Sequence, residues 1–287
     1  MSAVVPFTSI ETEAADTLRD WLSVHERVFV LTGAGISTAS GIPDYRGADG
    51  QWKRRAPVNY QDFIRDPATR ARYWARSFVG WPAVARAQPN AAHRALVTLE
   101  SRGRSAGLVT QNVDGLHARA GQHSVIDLHG RIDRVVCLEC GAPAARADVQ
   151  RQLADEHPEW TDLAAAIAPD GDADLEHMDF SKFRPPACMD CGGLLKPDVV
   201  FFGENVPLAR VTAARAALAT ADAMLVIGSS LMVYSGYRFA RLARDAALPL
   251  AILTRGVTRA DALATLKLEV DCVSALASAV GMGEGPH

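Results

Sequence analysis

Five short apolar runs constrain this chain more than any other feature. They are Val28–Leu31 (VFVL), Gly107–Thr110 (GLVT), Asp198–Phe202 (DVVFF), Met224–Gly228 (MLVIG) and Leu250–Leu253 (LAIL). None alternates apolar with polar residues, and they are rich in β-branched side chains, as strands covered on both faces are. Helical patterns lie between several of them, at Ala209–Ala223 and Tyr237–Ala247. Strand–helix–strand alternation predicts an α/β fold with a doubly wound, mostly parallel, Rossmann-like sheet.

The region from Arg131 to Lys196 reads differently. It begins and ends near cysteine pairs, and holds a helix-like stretch at Ala147–Trp160 and a polar one at Ala168–Lys182. We read 131–196 as a small inserted module with a long loop. A second, helical insertion at 47–89 carries a helical pattern in Thr69–Trp81. Residues 1–46, 90–130 and 197–287 would then form the nucleotide-binding domain. A chain of 287 residues, 48% hydrophobic, is long enough for one large domain and a small one.

A net charge of −3 gives no global electrostatic case for nucleic acid. Arginines cluster between Lys53 and Arg76 but alternate with apolar residues, which reads as a solvated helix face. No apolar run approaches the ~20 residues that cross a bilayer, and three acids precede the first basic residue, Arg19. The expectation is a cytoplasmic monomer without a membrane or nucleic-acid partner.

Four of the five cysteines form Cys137-x-x-Cys140 and Cys188-x-x-Cys191, each pair followed by glycine. Four thiolates around a tetrahedral ion leave no open position, so the expected cofactor is one structural zinc. A redox pair or buried free thiols are the alternatives. Cys272 stands alone and reads as a core residue; it is counted with the residues around the nucleotide.

Gly33, Ala34 and Gly35 follow the first apolar run, where backbone N–H groups could approach a diphosphate. The fingerprint is incomplete, because its third glycine would fall at Thr38 and no acid sits about twenty positions on. A plain structural turn is the other reading. A second small-residue loop, with Gly228, Ser229 and Ser230, follows another strand. After GLVT come Gln111, Asn112 and Asp114, polar groups able to read a ribose or a carboxamide, or simply to make a surface loop. His129 lies beside the same strand ends and is a candidate general base, whereas His93 and His117 read as structural.

GAGIS (33–37), GIPDYR (41–46), TQNVDGLH (110–117), LHG (128–130), the two cysteine knuckles, KPDVVFFGE (196–204) and GSSLMV (228–233) stand in the order and spacing of the sirtuins. The chain resembles these NAD-dependent protein-lysine deacylases from about Asp20 to Val280. RYWARSFVGWP (72–82), APDGD (168–172) and VYSGYRF (233–239) further resemble class II, mitochondrial-type members.

The resemblance implies NAD as cosubstrate and acylated protein lysines as partners. It implies that Asp44, Asn112 and Asp114 hold the nicotinamide carboxamide, and that Tyr45 walls off the reactive face of the ribose. Arg46 would lie by the phosphates and ribose, Gln111 would orient the ribose, and Ser37, Gly228, Ser229 and Ser230 would carry phosphates and adenosine. Nicotinamide loss leaves oxocarbenium character at C1′, which the acyl oxygen captures. His129 then deprotonates a ribose hydroxyl that attacks the imidate, with Asn112 counted beside it in the reacting set. Free lysine, nicotinamide and O-acyl-ADP-ribose result.

The peptide would add as a strand beside Phe202, Gly203 and Glu204 and beside Met232–Gly236, Val233 included. Many sirtuins have Asn where this chain has Thr254, which puts one adenosine contact in doubt. Tyr73 and Arg76 lie three apart on a predicted helix. In sirtuins that prefer acidic acyl groups such a pair binds the distal carboxylate, which points to succinyl, glutaryl or a branched dicarboxyl group. A surface ion pair of Arg76 is the alternative, and the loop around 168–179 leaves lipoyl or other long acyl groups open. The rival activity is mono-ADP-ribosylation of protein, and a non-enzymatic binding module is the rival class.

Overall fold

A strand that is apolar on both faces needs a neighbour on each side and cover above and below, and winding a chain twice around one sheet supplies both. The computed structural model describes residues 7–53, 57–163, 167, 171–175 and 178–281. Helix α1 (Phe7–Ser23) leads into β1 (Val28–Thr32), followed by a 3₁₀ turn at Ala34–Ser40. Helices α2 (Tyr60–Arg65), α3 (Pro67–Arg86) and α4 (Ala91–Ser101) come next, then β2 (Ser105–Thr110), α5 (Leu116–Arg119) and β3 (Val125–Asp127). The middle of the chain forms β4 (Gly130–Cys137), β5 (Pro143–Ala145), α6 (Arg146–Glu156) and β6 (Leu195–Val199). The last third returns with α7 (Leu208–Ala219), β7 (Ala223–Ile227), α8 (Tyr234–Asp245), β8 (Leu250–Leu253), β9 (Leu266–Leu268) and α9 (Cys272–Val280).

Six strands make one sheet in the order β3-β2-β1-β7-β8-β9, with every pairing parallel. Alternate residues of β1 serve opposite faces. Val28 and Val30 join Leu18, Leu96, Leu225 and Leu276 beneath α1, α4 and α9, while Phe29 and Leu31 join Val226, Phe239 and Ile252 beneath α7 and α8. Burying Phe29 or Leu31 in this way contributes about 2 kcal/mol each.

The second layer is a three-stranded antiparallel sheet, β5-β4-β6, packed with α3 and α6. Its core is aromatic: Phe63, Tyr73, Trp74, Phe78, Trp160, Phe183 and Phe201. The helix α3 at its centre starts where Asp66 caps the N–H groups of Ala68 and Thr69 and Pro67 fixes the first turn. Arg146 is fully buried, its guanidinium 5.4 Å from the ring of Trp74 and 5.2 Å from that of Trp81. Burial lowers its pKa to about 10.

One expected strand belongs elsewhere. Asp198–Phe202 reads as a buried parallel strand, but the chain is extended over Leu195–Val199 and pairs antiparallel with β4, outside the six-stranded sheet. A short apolar run looks the same whichever layer covers it. Gly130 pairs with Val199 in that small sheet, so we place the edges of the inserted module at Gly130 and Val199. The stretch Ala168–Lys182 is described only in part. Residues 168–170 and 176–177 lie outside the described residues, so APDGD cannot be followed whole. Its Ala173 is bonded to α3 through Ala173 N–H to the Arg76 carbonyl, at 2.9 Å.

Gly80 of α3 makes that contact close: a Cβ there would run into the carbonyl oxygen of Gly171. Glycine-to-alanine in a helix interior normally gains up to about 1 kcal/mol. Gly80→Ala should instead lower the melting temperature by several degrees, whereas Gly41→Ala meets no atom but sits at φ 83° and should cost less. Differential scanning fluorimetry of the two variants checks this.

Candidate active site

The parallel register sets strand ends side by side. Thr32 pairs with Thr110 and with Ile227, and Ile227 with Leu253. The residues that follow, Gly33, Gln111, Gly228 and Thr254, therefore leave one edge of the sheet together. Bonds continue the ladder past the strands, from Gly33 N–H to Ile227 O, Gly228 N–H to Leu253 O and Gln111 N–H to Thr32 O, each 3.0 Å. This is the carboxyl edge, at the point where strand order reverses, where open α/β sheets bind ligands. A cavity of about 390 Å³ opens here, running from the glycine loops to the small layer.

The two small-residue loops touch main chain to main chain. A Cβ on Gly33 would stand 2.7 Å from Ser229 Cβ, and one on Gly35 2.9 Å from Gly228 Cα. Gly228 itself has φ 60°, and a Cβ on it would strike the backbone of Gly35 and Ile36. Loop-to-loop packing thus requires these glycines even without a ligand. Gly33, Ala34, Gly35, Gly228, Ser229, Ser230 and Thr254 all line the cavity. The 3₁₀ turn after the first loop stands where an α-helix could have opened. Leu231, buried at φ 55°, is a strained residue that the sequence does not announce.

Gln111, Asn112 and His129 reach the cavity from β2 and from the junction between β3 and β4. Gln111 Nε2 donates to Ser229 Oγ at 2.6 Å, and Asn112 Nδ2 to Gly33 O and Ser37 Oγ, both 3.1 Å. Ser37 and Asp114 are not on the wall. Ser37 is 1% exposed and donates to Asp114 Oδ2 at 2.7 Å, while Asp114 Oδ1 caps Leu116 N–H at 2.8 Å. Burial raises the pKa of Asp114, and its hydrogen bonds from Leu116 N–H and Ser37 Oγ, together with the charges of Arg119 and Arg131, oppose the rise. Both residues therefore hold Asn112 from behind. Cys272 is also off the wall: its Sγ touches Gly35 O at 3.5 Å, and burial pushes the thiol up to about 12.

His129 Nδ1 lies 2.9 Å from the Gln111 carbonyl, and Nε2 lies 2.7 Å from Ser235 Oγ. A carbonyl only accepts, so Nδ1 carries the proton and Nε2 is the basic nitrogen. Desolvation lowers the imidazole pKa to about 4; Arg210 and Arg238 push the same way, and the Gln111 carbonyl pulls back. His93 and His117 are buried with ring centroids 4.8 Å apart. His93 closes the capping box of α4 and His117 bonds Thr32 Oγ1 at 2.9 Å, the structural roles expected of them.

A hairpin over 45–53 covers the cavity, closed by Lys53 N–H to Tyr45 O at 3.0 Å and Gly47 N–H to Gln51 O at 2.9 Å. Tyr45 and Arg46 line the cavity from it, and Asp44 from just before it. Asp44 is paired with Lys53, and Arg46 sits 4.0 Å from the ring of Trp52, which in turn meets Phe202 at 5.6 Å. Trp52 carries no signal in the sequence, and Ser235 enters there only within the peptide stretch Met232–Gly236, since neither belongs to a polar cluster. Phe202, Gly203, Glu204 and Val233 complete the wall.

The expected Tyr73–Arg76 pair is split. Tyr73 is buried among Phe63 and Phe201 and reaches the cavity. Arg76 is absent from the wall, and its Nε donates to Ala173 O at 2.8 Å. One helical turn puts both on one face of α3, yet Tyr73 lies beside the cavity end of the aromatic core and Arg76 beside the incoming 171–175 segment.

Far from the cavity, Cys137, Cys140, Cys188 and Cys191 bring four Sγ atoms within 4.8 Å of one another. Cys137 and Cys191 are 3.5 Å apart and Cys140 and Cys188 3.7 Å. These are not disulfide lengths. Thiolates at Zn–S 2.3 Å around a tetrahedron would sit about 3.8 Å apart, so the set fits a structural zinc.

Comparison with known proteins agrees with this geometry. The Sir2 family model matches residues 33–235. NAD-dependent protein deacetylase 2 of Bradyrhizobium diazoefficiens is 57% identical over 264 residues, covering 92% of this chain and 97% of the relative. A solved structure of Sir2 with a deacetylated p53 peptide and 3′-O-acetyl-ADP-ribose has a TM-score of 0.73 at 31% identity, covering 93% of this chain and 97% of that one. Sir2Tm bound to a propionylated peptide gives a TM-score of 0.72 at 30% identity, with the same 93% and 97% coverage. No described helix is long and apolar enough to cross a membrane.

Metal analysis of the purified protein should find about one zinc per chain. Cys188→Ser should lower that content and the melting temperature together, because Cys188 is buried against the same aromatic core as Trp74 and Phe183.

Proposed function

The chain belongs to the Sir2 family, and on that premise we propose that it is an NAD-dependent protein-lysine deacylase acting on short, uncharged acyl groups, acetyl foremost. The observation that carries the reading is His129 on the cavity wall, its Nδ1–H fixed on the Gln111 carbonyl and its basic Nε2 against Ser235, also on the wall. The relative's name supports deacetylation with NAD, and the acetyl and propionyl groups of the two solved complexes support short chains.

In this reading the glycine loops and Ser229 receive the diphosphate and ribose, Asn112 and Asp44 face the nicotinamide, and Tyr45 with Trp52 keeps water from the ribose. Asp44 reaches the carboxamide only when it exchanges its bond with Lys53. Gln111, tied to Ser229, fixes the ribose end of the cavity. His129 takes the proton of a ribose hydroxyl, which attacks the acyl carbon once nicotinamide has left. The peptide runs by Phe202–Glu204 and Val233, and the acyl group lies against Tyr73 and Phe201.

An acidic acyl group finds less support. It needs a cation at the acyl end, and the cation expected there, Arg76, is turned to Ala173 O. Mass spectrometry with NAD and acetyl-, propionyl- and succinyl-lysine peptides decides the matter. We expect the first two to be deacylated fastest with O-acyl-ADP-ribose as product, His129→Ala to reduce turnover at least ~100-fold, and Arg76→Ala to leave the ratio of succinyl to acetyl turnover unchanged. A preference for succinyl that disappears in Arg76→Ala would reinstate the acidic pocket. ADP-ribose transferred to protein, with no deacylation, would overturn the deacylase reading.

The sign of the pH dependence follows from the environment of His129. The neutral imidazole is the active form, and a pKa held near 4 keeps it neutral well below the ordinary histidine range. The acid limb of single-turnover deacetylation should therefore lie near pH 4, instead of near the usual ~6.5. A stopped-time assay across pH 5 to 8 should find the rate free of a histidine limb.

A further inference from the structure

The lone pair of His129 Nε2 already has a partner. Because Nδ1–H is committed to the Gln111 carbonyl, Nε2 can only accept, and the group 2.7 Å away is the hydroxyl of Ser235. Ser235 therefore donates its own proton to the base. The contact joins residues 106 positions apart, and Ser235 is 8% exposed yet lines the cavity.

Its place in the fold is built. Ser235 is the second residue of α8, whose N-cap, Val233, makes no side-chain cap. Its side chain turns to the imidazole instead of to the helix end. The next residue, Gly236, lets α8 approach, since a Cβ there would run into the Gln111 side chain. Gln111 thus packs against α8 while its carbonyl holds the ring, and the three groups Gln111, His129 and Ser235 lock one another.

A single nitrogen lone pair takes one well-aligned hydrogen bond, whereas a hydroxyl that donates can still accept two. The substrate ribose hydroxyl therefore has its natural acceptor at Ser235 Oγ, on the cavity wall. Resting on the deacylase reading, we propose that Ser235 is a proton relay between the ribose hydroxyl and His129. In the step, the ribose O–H bond breaks and its proton passes to Oγ while the Oγ proton passes to Nε2. The ribose oxygen bonds to the acyl carbon, and the π pair of the imidate C=N moves to nitrogen, cancelling its positive charge. His129 ends as imidazolium, next to Arg238, one turn along α8, and to Arg210, itself paired with Asp198. These two cations drive the proton onward in the later steps.

The test compares two reactions of the whole zinc-loaded protein. Nicotinamide exchange into NAD with an acetyl-lysine peptide needs only cleavage and re-formation of the bond at C1′, so no hydroxyl proton moves. Single-turnover deacetylation needs the relay. Ser235→Ala should slow deacetylation about 10- to 100-fold, a share of what a positioned acid–base group supplies, with exchange changed by less than about 3-fold. Ser235→Thr, which keeps the hydroxyl, should recover most of the rate. Adding Ser235→Ala to His129→Ala should cost nothing more, because the two act as one unit.

Wild-type deacetylation in Ser235→Ala, an equal loss in both reactions, or a double variant that loses the product of both effects would overturn the relay. A wild-type protein that neither exchanges nor deacetylates would instead overturn the deacylase reading, and the relay with it.

Discussion

The contact on which the rest of this molecule depends is the meeting of two main chains just past the ends of β1 and β7. Gly33 and Gly35 lie against Gly228 and Ser229 with no room for a Cβ. Flush register brings them there, since Thr32 and Ile227 are direct partners. Once the two loops are in contact, their N–H groups and the polar residues behind them have few places to go. Gln111 bonds Ser229, Asn112 bonds Gly33 and Ser37, and Asp114 bonds Ser37. A site of small polar groups is thereby held by close backbone packing between the two loops, which limits reorganisation when a charged ligand binds.

The small layer is held by different means. Its sheet has only three strands, about the fewest that can be stable with one apolar face covered. An aromatic cluster, a four-thiolate cluster and a buried guanidinium over two tryptophans make up the difference. Arg146 is held by Ser77 O at 3.3 Å and by the ring faces of Trp74 and Trp81. Aromatic faces accept a cation that few anions reach. The same layer presents Tyr73 and Phe201 to the cavity, so the packing that stabilises it also lines the acyl end.

Much of this was legible in the sequence. Unbroken apolar runs identified four strands of the large sheet, and paired cysteines identified the cluster, because both signals are local and repeat. Asp198–Phe202 misled for the opposite reason: apolarity reports burial but not the layer that does the burying, and here β4 and the aromatic core cover β6. Ser37 and Asp114 read as ligand-facing in the sequence and stand behind the cavity wall, bonded to each other, since polar residues beside a glycine loop look alike whichever way they face. Arg76 Nε bonds a carbonyl ninety-seven positions away, and Ser235 Oγ bonds a histidine at similar distance in sequence. Pairings of that span leave no periodic trace.

His129 has a position that says more than its chemistry. It is two residues past β3, with Leu128 between, and Gly130 after it begins β4, so it sits at the joint between the parallel sheet and the antiparallel one. Leu128 N–H is bonded to Thr110 O on one side of the joint, and the His129 carbonyl accepts from Val200 N–H on the other, at 2.9 and 2.8 Å. The ring is meanwhile held by groups of the large layer. Any rocking of one layer on the other turns the backbone of the base against its own side-chain anchors. The backbone of the base thus answers to the small layer and its ring to the large one, so the distance from Nε2 to the cavity wall depends on how the two sheets meet.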